Sequence, residues 1–354
     1  MKYLVKFKPL EPYTFGTEQT FDYPSDDEKT GKESYFVLSR TVPTQTTILG
    51  ALRYLALKKK DLLHTDFHYP DLQEIQKTIG SKSFCFESET VQDFGVIHSV
   101  SPLFLLRAEL DGENILIRNP FHNSNRKRTA GYQPMRMMKR KIWTSHGEIS
   151  LPDDGEYDAK KGYAGGYIDI KNKMIYQDLF QSVMLPGNQK SSGDDERAYY
   201  RRQMICLNSN CCFAVYVDAD EDAFPLESIS YMGQKRAAFR VTAEPSDAES
   251  IETQVREAFA DDSETPWFYA LSPLWVPPNT DYSAFCIVEE LSQRQLITNY
   301  REKRHVRKLR RSAVRYHLIQ AGSVFYDACP LNLGRENCRN IGYNSVVQLG
   351  GKLL

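Results

Sequence analysis

The sequence predicts an α+β fold rich in antiparallel strands, and three observations carry that class. Tyr3, Val5 and Phe7 alternate with Leu4 and Lys6, the period-two pattern of a half-buried strand. Ile48, Leu52 and Leu55 recur at helical spacing soon afterwards. Strand-like runs then return along the whole chain, with 21 Tyr and 18 Phe, residues that fit pleated surfaces. At 354 residues the chain has room for about two domains, each able to bury a core. A strand first and a helix after it suits two ferredoxin-like units. The expected division is 1–210, with a long basic insertion at about 119–165, and 211–354, ending in a Gly-rich turn.

Taken in order, "KYLVKFKPL" is the first strand, and 11–34 reads as a loop rich in turn formers. "YFVLS" is a short strand. Pro43 suits the first turn of a helix that ends in Lys58–Lys60, where cations favour the C-terminus. Residues 96–110 and 113–118 pair across the turn Asp111-Gly112. After 119–165, "GYIDIKNKMI" resumes strand character. Residues 197–207 and 211–219 form a hairpin about "NSN", and "RAAFRVTAE" is a further strand. Residues 247–260 form an amphipathic helix with Ile251, Val255 and Phe259 on one face. "PWFYALSPLWV", "AFCIVEEL", "GSVFYDA" and "NSVVQLGG" complete the strands around a basic stretch at 294–315.

Composition narrows the function. The net charge is −1, so any polyanion must be held by local patches. The seven cysteines form no Cys-x-x-Cys pair, which argues against a zinc site or a disulfide framework. "KYLVKFKPL" is too short and charged for a signal peptide, and no apolar run approaches ~18 residues. A reducing cytoplasm, no membrane and no cofactor are the expectations. His64 and His68 stand four apart without a third metal ligand, and "DADEDAF" lacks the glycine of a calcium loop.

Four constellations remain. In "TVPTQTTILGALRY", Thr44, Gln45, Thr46 and Thr47 crowd a helix N-terminus, whose free N–H groups and partial positive charge suit a phosphate. Arg53 adds charge if it faces the same way. The plain alternative is capping by a threonine with Gln45 in solvent. A basic finger holds Arg126, Lys127, Arg128, Arg136, Lys139, Arg140 and Lys141, with Tyr132 and Trp143 beside it. That mixture fits single-stranded nucleic acid, or else a solvated loop or a dock for an acidic protein. Arg301–Arg315 carries eight cations against Glu302; as a helix its charges would go nearly all round, and Arg307 and Arg311 are its central candidates. Finally, "AYYRRQ" offers Tyr200, Arg201 and Arg202, and "MGQKRAAF" offers Gln234, Lys235 and Arg236. Alternation places Arg201 and Arg202 on opposite faces.

Read together, "PLEPYTFGTEQTF", "PTQTTILGALRY", "DERAYYRRQMICLNSNCCFAVYVDA", "YMGQKRAAFRV", "QAGSVFY" and "IGYNSVVQLGG" occur in an order that resembles the RAMP (repeat-associated mysterious protein) subunits of CRISPR effector complexes. The resemblance is greatest to the Cas-five-like subunit-three group of the type III-B Cmr complex. It touches both ends and the middle, and 60–120 and 240–280 contribute little. It implies two ferredoxin-like, RRM-related units and a non-catalytic subunit. Such a subunit caps the guide RNA at its repeat-derived 5′ tag and meets target RNA only indirectly. Its neighbours are the large polymerase/cyclase subunit and the first backbone RAMP subunit. Thr46, Thr47, Gly50 and Arg53 would lie near RNA or a neighbour, and Gly350-Gly351 would be the family's glycine-rich loop, here a short one. The 119–165 insertion corresponds by length and charge to a thumb-like element. The competing expectation is a guide-processing endoribonuclease of the same superfamily, which would need a histidine near the first helix; 36–56 contain none, leaving His98, His122, His146, His305 and His317. A protein-only scaffold binding an acidic partner is the third.

Overall fold

The computed structural model describes the chain except for residues 24–33, 64–68, 125–130, 142–147, 154–162, 189–198, 260–265, 278–282, 284, 301–306, 328–335 and 350–354. Among the described residues, sheet dominates and the α-helices are Gln45–Lys59, Tyr69–Ile79, Ile251–Phe259 and Glu336–Asn340. The α+β class therefore holds.

A nine-stranded sheet forms the frame. The first strand, Lys2–Pro9, lies between Cys211–Ala219 and Ala237–Pro245, antiparallel to both, with Val5 opposite Val215 on one side and Ala243 on the other. Tyr3, Val5 and Phe7 are buried while Leu4 and Lys6 are half-buried, the alternation read from the sequence. Phe104–Glu109 and Gly112–Arg118 pair with Leu110 and Asp111 at the turn, one residue earlier than expected. The first helix lays Ile48, Leu52 and Leu55, each at most 1% exposed, on the face formed by Phe7, Phe213 and Phe239. Burial of such side chains contributes about 1.5–3 kcal/mol each. Ile251, Val255 and Phe259 bury on the opposite face with Phe104 and Tyr216, as the periodicity requires.

Tyr199–Leu207 and Cys211–Ala219 do not form a hairpin. The first pairs antiparallel with Phe180–Asn188 and parallel with Ser34–Arg40, in a separate four-stranded sheet. The second sits at the centre of the nine-stranded sheet. Eight of its nine residues are buried, so it needs cover on both faces and neighbours on both edges, which the half-polar "YYRRQ" strand cannot give. The expected boundary at 210/211 falls in the turn between these two strands, and the sheet of the first strand draws on residues from both sides of it. The described parts of the 294–315 stretch lie on long antiparallel strands, Glu290–Tyr300 and Arg307–Ile319, with Arg294 opposite Arg315. Pro43 lies just outside the first helix, because Thr44 takes the cap position. Within 119–165, Met137–Lys141 and Glu148–Pro152 pair as a two-stranded ribbon.

Candidate nucleic-acid interface

The polar start of the first helix is resolved atom by atom. Thr44 Oγ1 accepts from the Thr47 N–H at 3.3 Å and lies 3.0 and 2.9 Å from the hydroxyls of Thr46 and Thr47. Threonine capping is therefore real. Gln45 is not in solvent: it is 3% exposed, and its Nε2 donates to the carbonyls of Ser101 and Gly342 at 2.9 Å. Gly342 has φ +82, and a Cβ there would stand 2.0 Å from that nitrogen, so only glycine admits the contact. Gln45 is thus a bolt between the helix and the C-terminal segment. Thr46 Oγ1 accepts from Gln293 Nε2 at 3.4 Å.

Beyond the cap, the helix borders a cleft of about 640 Å³. Thr46, Thr47, Gly50 and Arg53 line it from the helix, and Gln234 and Arg236 line it from the turn after Glu227–Met232. Arg40 and Arg294 complete a wall that, among the described residues, holds four arginines and no aspartate or glutamate. Such a wall concentrates positive potential where low-dielectric sides focus it. Arg53 is fixed by donating to the Lys82 carbonyl at 3.1 Å and by lying 5.4 Å from the centre of the Phe94 ring. Burial lowers its pKa to about 10, with Asp93 opposing the shift, so it stays charged at neutral pH. Arg236 lies 5.3 Å from the Tyr231 ring centre.

The turn carrying Gln234 is conformationally costly. Lys235 (φ 63) and Arg236 (φ 56) are both left-handed, which L side chains disfavour by roughly 1–2 kcal/mol each. Gly233 (φ 74) starts the turn, and a Cβ there would meet the Thr14 carbonyl at 2.5 Å. Gln234 N–H donates to that same carbonyl at 2.8 Å, which holds the turn down. Strain of this kind concentrates at functional sites. The turn leaves Lys235 and Arg236 exposed.

The other sequence candidates are placed elsewhere. Arg201 is exposed and Arg202 half-buried, the alternation expected, on the strand with Tyr200; neither arginine is among the residues lining the cleft. Arg136 is exposed before the two-stranded ribbon, and Lys139, Arg140 and Lys141 lie on its first strand. Arg307 and Arg311 lie on Arg307–Ile319, opposite Tyr300 and Leu296. Arg126, Lys127, Arg128, Gly350 and Gly351, like His64, His68, His146 and His305, fall outside the described residues. Arg40, Gln293, Arg294 and Gln295 were missed as cleft residues. Arg294 opens the basic stretch, the one hint the sequence held; Arg40 ends an ordinary strand and carried none.

The described histidines are structural or peripheral. His122 is 1% exposed, bonded through Nε2 to Tyr132 Oη and through Nδ1 to Tyr326 Oη at 2.9 Å, and burial lowers its pKa to about 3. His98 pairs with Asp220 at 2.8 Å on the surface, and His317 with Glu290 at 3.8 Å. Among the described residues no group of three or more His, Cys, Asp or Glu could hold a metal. No helix there is long and apolar enough to cross a membrane.

A chain of the type III-B Cmr-beta complex bound to cognate target RNA is similar at 16% identity and TM-score 0.48, with 99% of both chains covered. A chain of the same kind of complex with target RNA and AMPPnP, state 1, gives 15% and 0.46, covering 98% of this chain and 96% of that one. A chain of the Csm3-Csm4 subcomplex of the type III-A CRISPR-Cas interference complex gives 12% and 0.35, with 100% of both covered. No curated protein matches the sequence. The family model for CRISPR-associated protein (Cas_Cmr3) matches residues 5–183, just over half of the chain, and includes the second half of the first strand, the first helix and the Arg40 wall of the cleft. The chain belongs to the Cas_Cmr3 family of CRISPR-associated proteins.

Proposed function

We propose that this chain is the non-catalytic RNA-binding subunit of a type III-B (Cmr-type) CRISPR interference complex, serving antiviral defence. In this reading it caps the guide RNA at its 5′ repeat-derived tag and docks the large polymerase/cyclase subunit and the first backbone RAMP subunit. The observation that carries it is the cleft between the first helix and the 233–236 turn, with four arginines and no acid among its described lining residues. A phosphate backbone there would release counterions from several cations at once. The ribbon and its flanks at 119–165 would act as the thumb-like element, and Arg201, Arg202, Arg307 and Arg311 would extend the contact. Gly350-Gly351 would add a backbone contact, and the two ferredoxin-like units belong to the same reading.

The deciding test is the double variant Arg236→Ala with Arg294→Ala. Both side chains are exposed, so the fold should tolerate their loss. Binding of a 5′-tag RNA should weaken, and the slope of log K against log salt should fall by about 1.4, at ~0.7 per phosphate contact on a single strand. Unchanged affinity and slope would remove the cleft from the reading. Guide processing by this chain is the weaker reading, because among the described residues no histidine lines the cleft. Cleavage of labelled repeat RNA without divalent metal, abolished by one histidine substitution, would reverse that preference.

A further inference from the structure

The basic ribbon of Met137–Lys141 and Glu148–Pro152 pairs with no third strand among the described residues, and a two-stranded ribbon alone is marginally stable in water. Its direction therefore depends on its root, where the segments 119–124 and 131–136 meet. That root is polar for its depth: Asn119, His122 and Asn123 are each at most 3% exposed. Asn123 Nδ2 donates to Asn119 Oδ1 at 3.0 Å, and Asn123 Oδ1 accepts from the Gln133 N–H at 3.1 Å. The Met135 N–H donates to the His122 carbonyl at 3.0 Å.

The first segment is fastened to the body through its backbone, with the Asn119 N–H on the Gly166 carbonyl at 3.0 Å and the Phe121 N–H on the Gly322 carbonyl at 2.9 Å. The second segment leads into the ribbon. Met135 holds it by apolar packing with Phe121 and Ile287, which tolerates changes of angle. Tyr132 holds it by direction. Its hydroxyl meets His122 Nε2, and its ring stands edge-on to Phe259, 5.1 Å between centres at 89°. His122 is held in turn by Tyr326 Oη on Nδ1 at 2.9 Å and by the Trp267 ring, 4.3 Å away at 65°. A neutral imidazole has one N–H and one lone pair, so the two hydroxyls use both and fix the ring. Burial, which lowers the His122 pKa to about 3, keeps it in that neutral form. Apolar residues could fill this space as well, but hydrogen bonds also set an angle.

We propose that His122 and Tyr132 are positioning residues: their hydrogen bond is a latch that holds the basic ribbon in one orientation on the body, ready for a bound RNA strand. The proposal rests on the thumb-like reading of this ribbon, whose cations are Lys139, Arg140 and Lys141. An unlatched ribbon keeps those charges but loses conformational freedom on binding, which lowers affinity.

Tyr132→Phe keeps the ring beside Phe259 and removes the latch hydroxyl. Tyr326→Phe removes the other bond of the same imidazole and leaves the latch, so it controls for a merely structural loss. In the full chain, hydrogen exchange at the ribbon amides should quicken about fivefold in Tyr132→Phe, the worth of one hydrogen bond, and stay unchanged in Tyr326→Phe. Affinity for a 5′-tag RNA should fall by a similar factor in Tyr132→Phe alone. The triple variant Lys139→Ala, Arg140→Ala, Lys141→Ala should also weaken binding. Adding Tyr132→Phe to it should change nothing further, because an angle matters only while the cations are present. Ribbon exchange untouched by Tyr132→Phe, or raised equally by Tyr326→Phe, overturns the proposal, as does a loss of affinity that persists in the triple background. Binding unaffected by the triple variant, with exchange still raised by Tyr132→Phe, keeps the latch and defeats the thumb-like reading instead.

Discussion

Gln45 stands where the sequence suggested a solvated donor, and its amide instead ties two distant carbonyls together. Gln45→Glu keeps the shape but replaces two donations with a buried charge facing carbonyl oxygens. Its expected cost is about 3 kcal/mol or more, read as a lower urea midpoint at pH 7. His122 gives a second residue-scale outcome. Its pKa falls from 6.5 to about 3 on folding because burial disfavours the imidazolium. Between those values the unfolded chain binds more protons than the native one. The contribution is therefore complete above pH 6.5 and is lost as the pH falls toward 3. In His122→Phe the unfolding midpoint should decline less steeply over that window. An identical decline in both proteins would mean that other groups carry the acid sensitivity.

At the scale of elements, the first helix does two jobs with two different faces. Ile48, Leu52 and Leu55 anchor it to the sheet, and Thr46, Thr47, Gly50 and Arg53 face the cleft. Leu52→Ala should cost about 2–5 kcal/mol, through lost transfer energy and a residual cavity, measurable as a fall in the denaturant midpoint. A change under 1 kcal/mol would mean that the helix can settle into the space. The 233–236 turn is the counterpart element. Lys235→Gly removes a left-handed penalty and a cation together, so thermal stability should rise or hold while RNA affinity falls. Loss of stability in that variant would show that the Lys235 side chain, not the backbone form, is what the turn needs.

For the whole molecule, near-neutrality hides segregation. A chain of net charge −1 lines this cleft, among the described residues, with arginine alone of the charged types. RNA binding should therefore weaken steeply with salt despite the overall charge, with a slope of at least about −2 for contacts by three or more arginines. Salt-independent binding would place the interaction outside the cleft.

The sequence by itself determined the α+β class, the first strand, both amphipathic helix faces and several of the cations. Those features are written in local periodicity, which each residue obeys through its nearest neighbours. It also held the order of motifs that marks the family. Tertiary structure alone decided that Cys211–Ala219 leaves its sequence neighbour for the centre of a sheet, because burial on two faces outweighs the short turn. It alone decided which cations meet: Arg40 and Arg294 are 254 positions apart, and no local pattern records that two strands bring them to one wall. Gln45 belongs to the same class, since its hydrogen-bond partners lie 56 and 297 residues away. Long-range closure is a property of the packed chain, and there a hydroxyl-rich helix start becomes both a cap and one side of a cationic cleft.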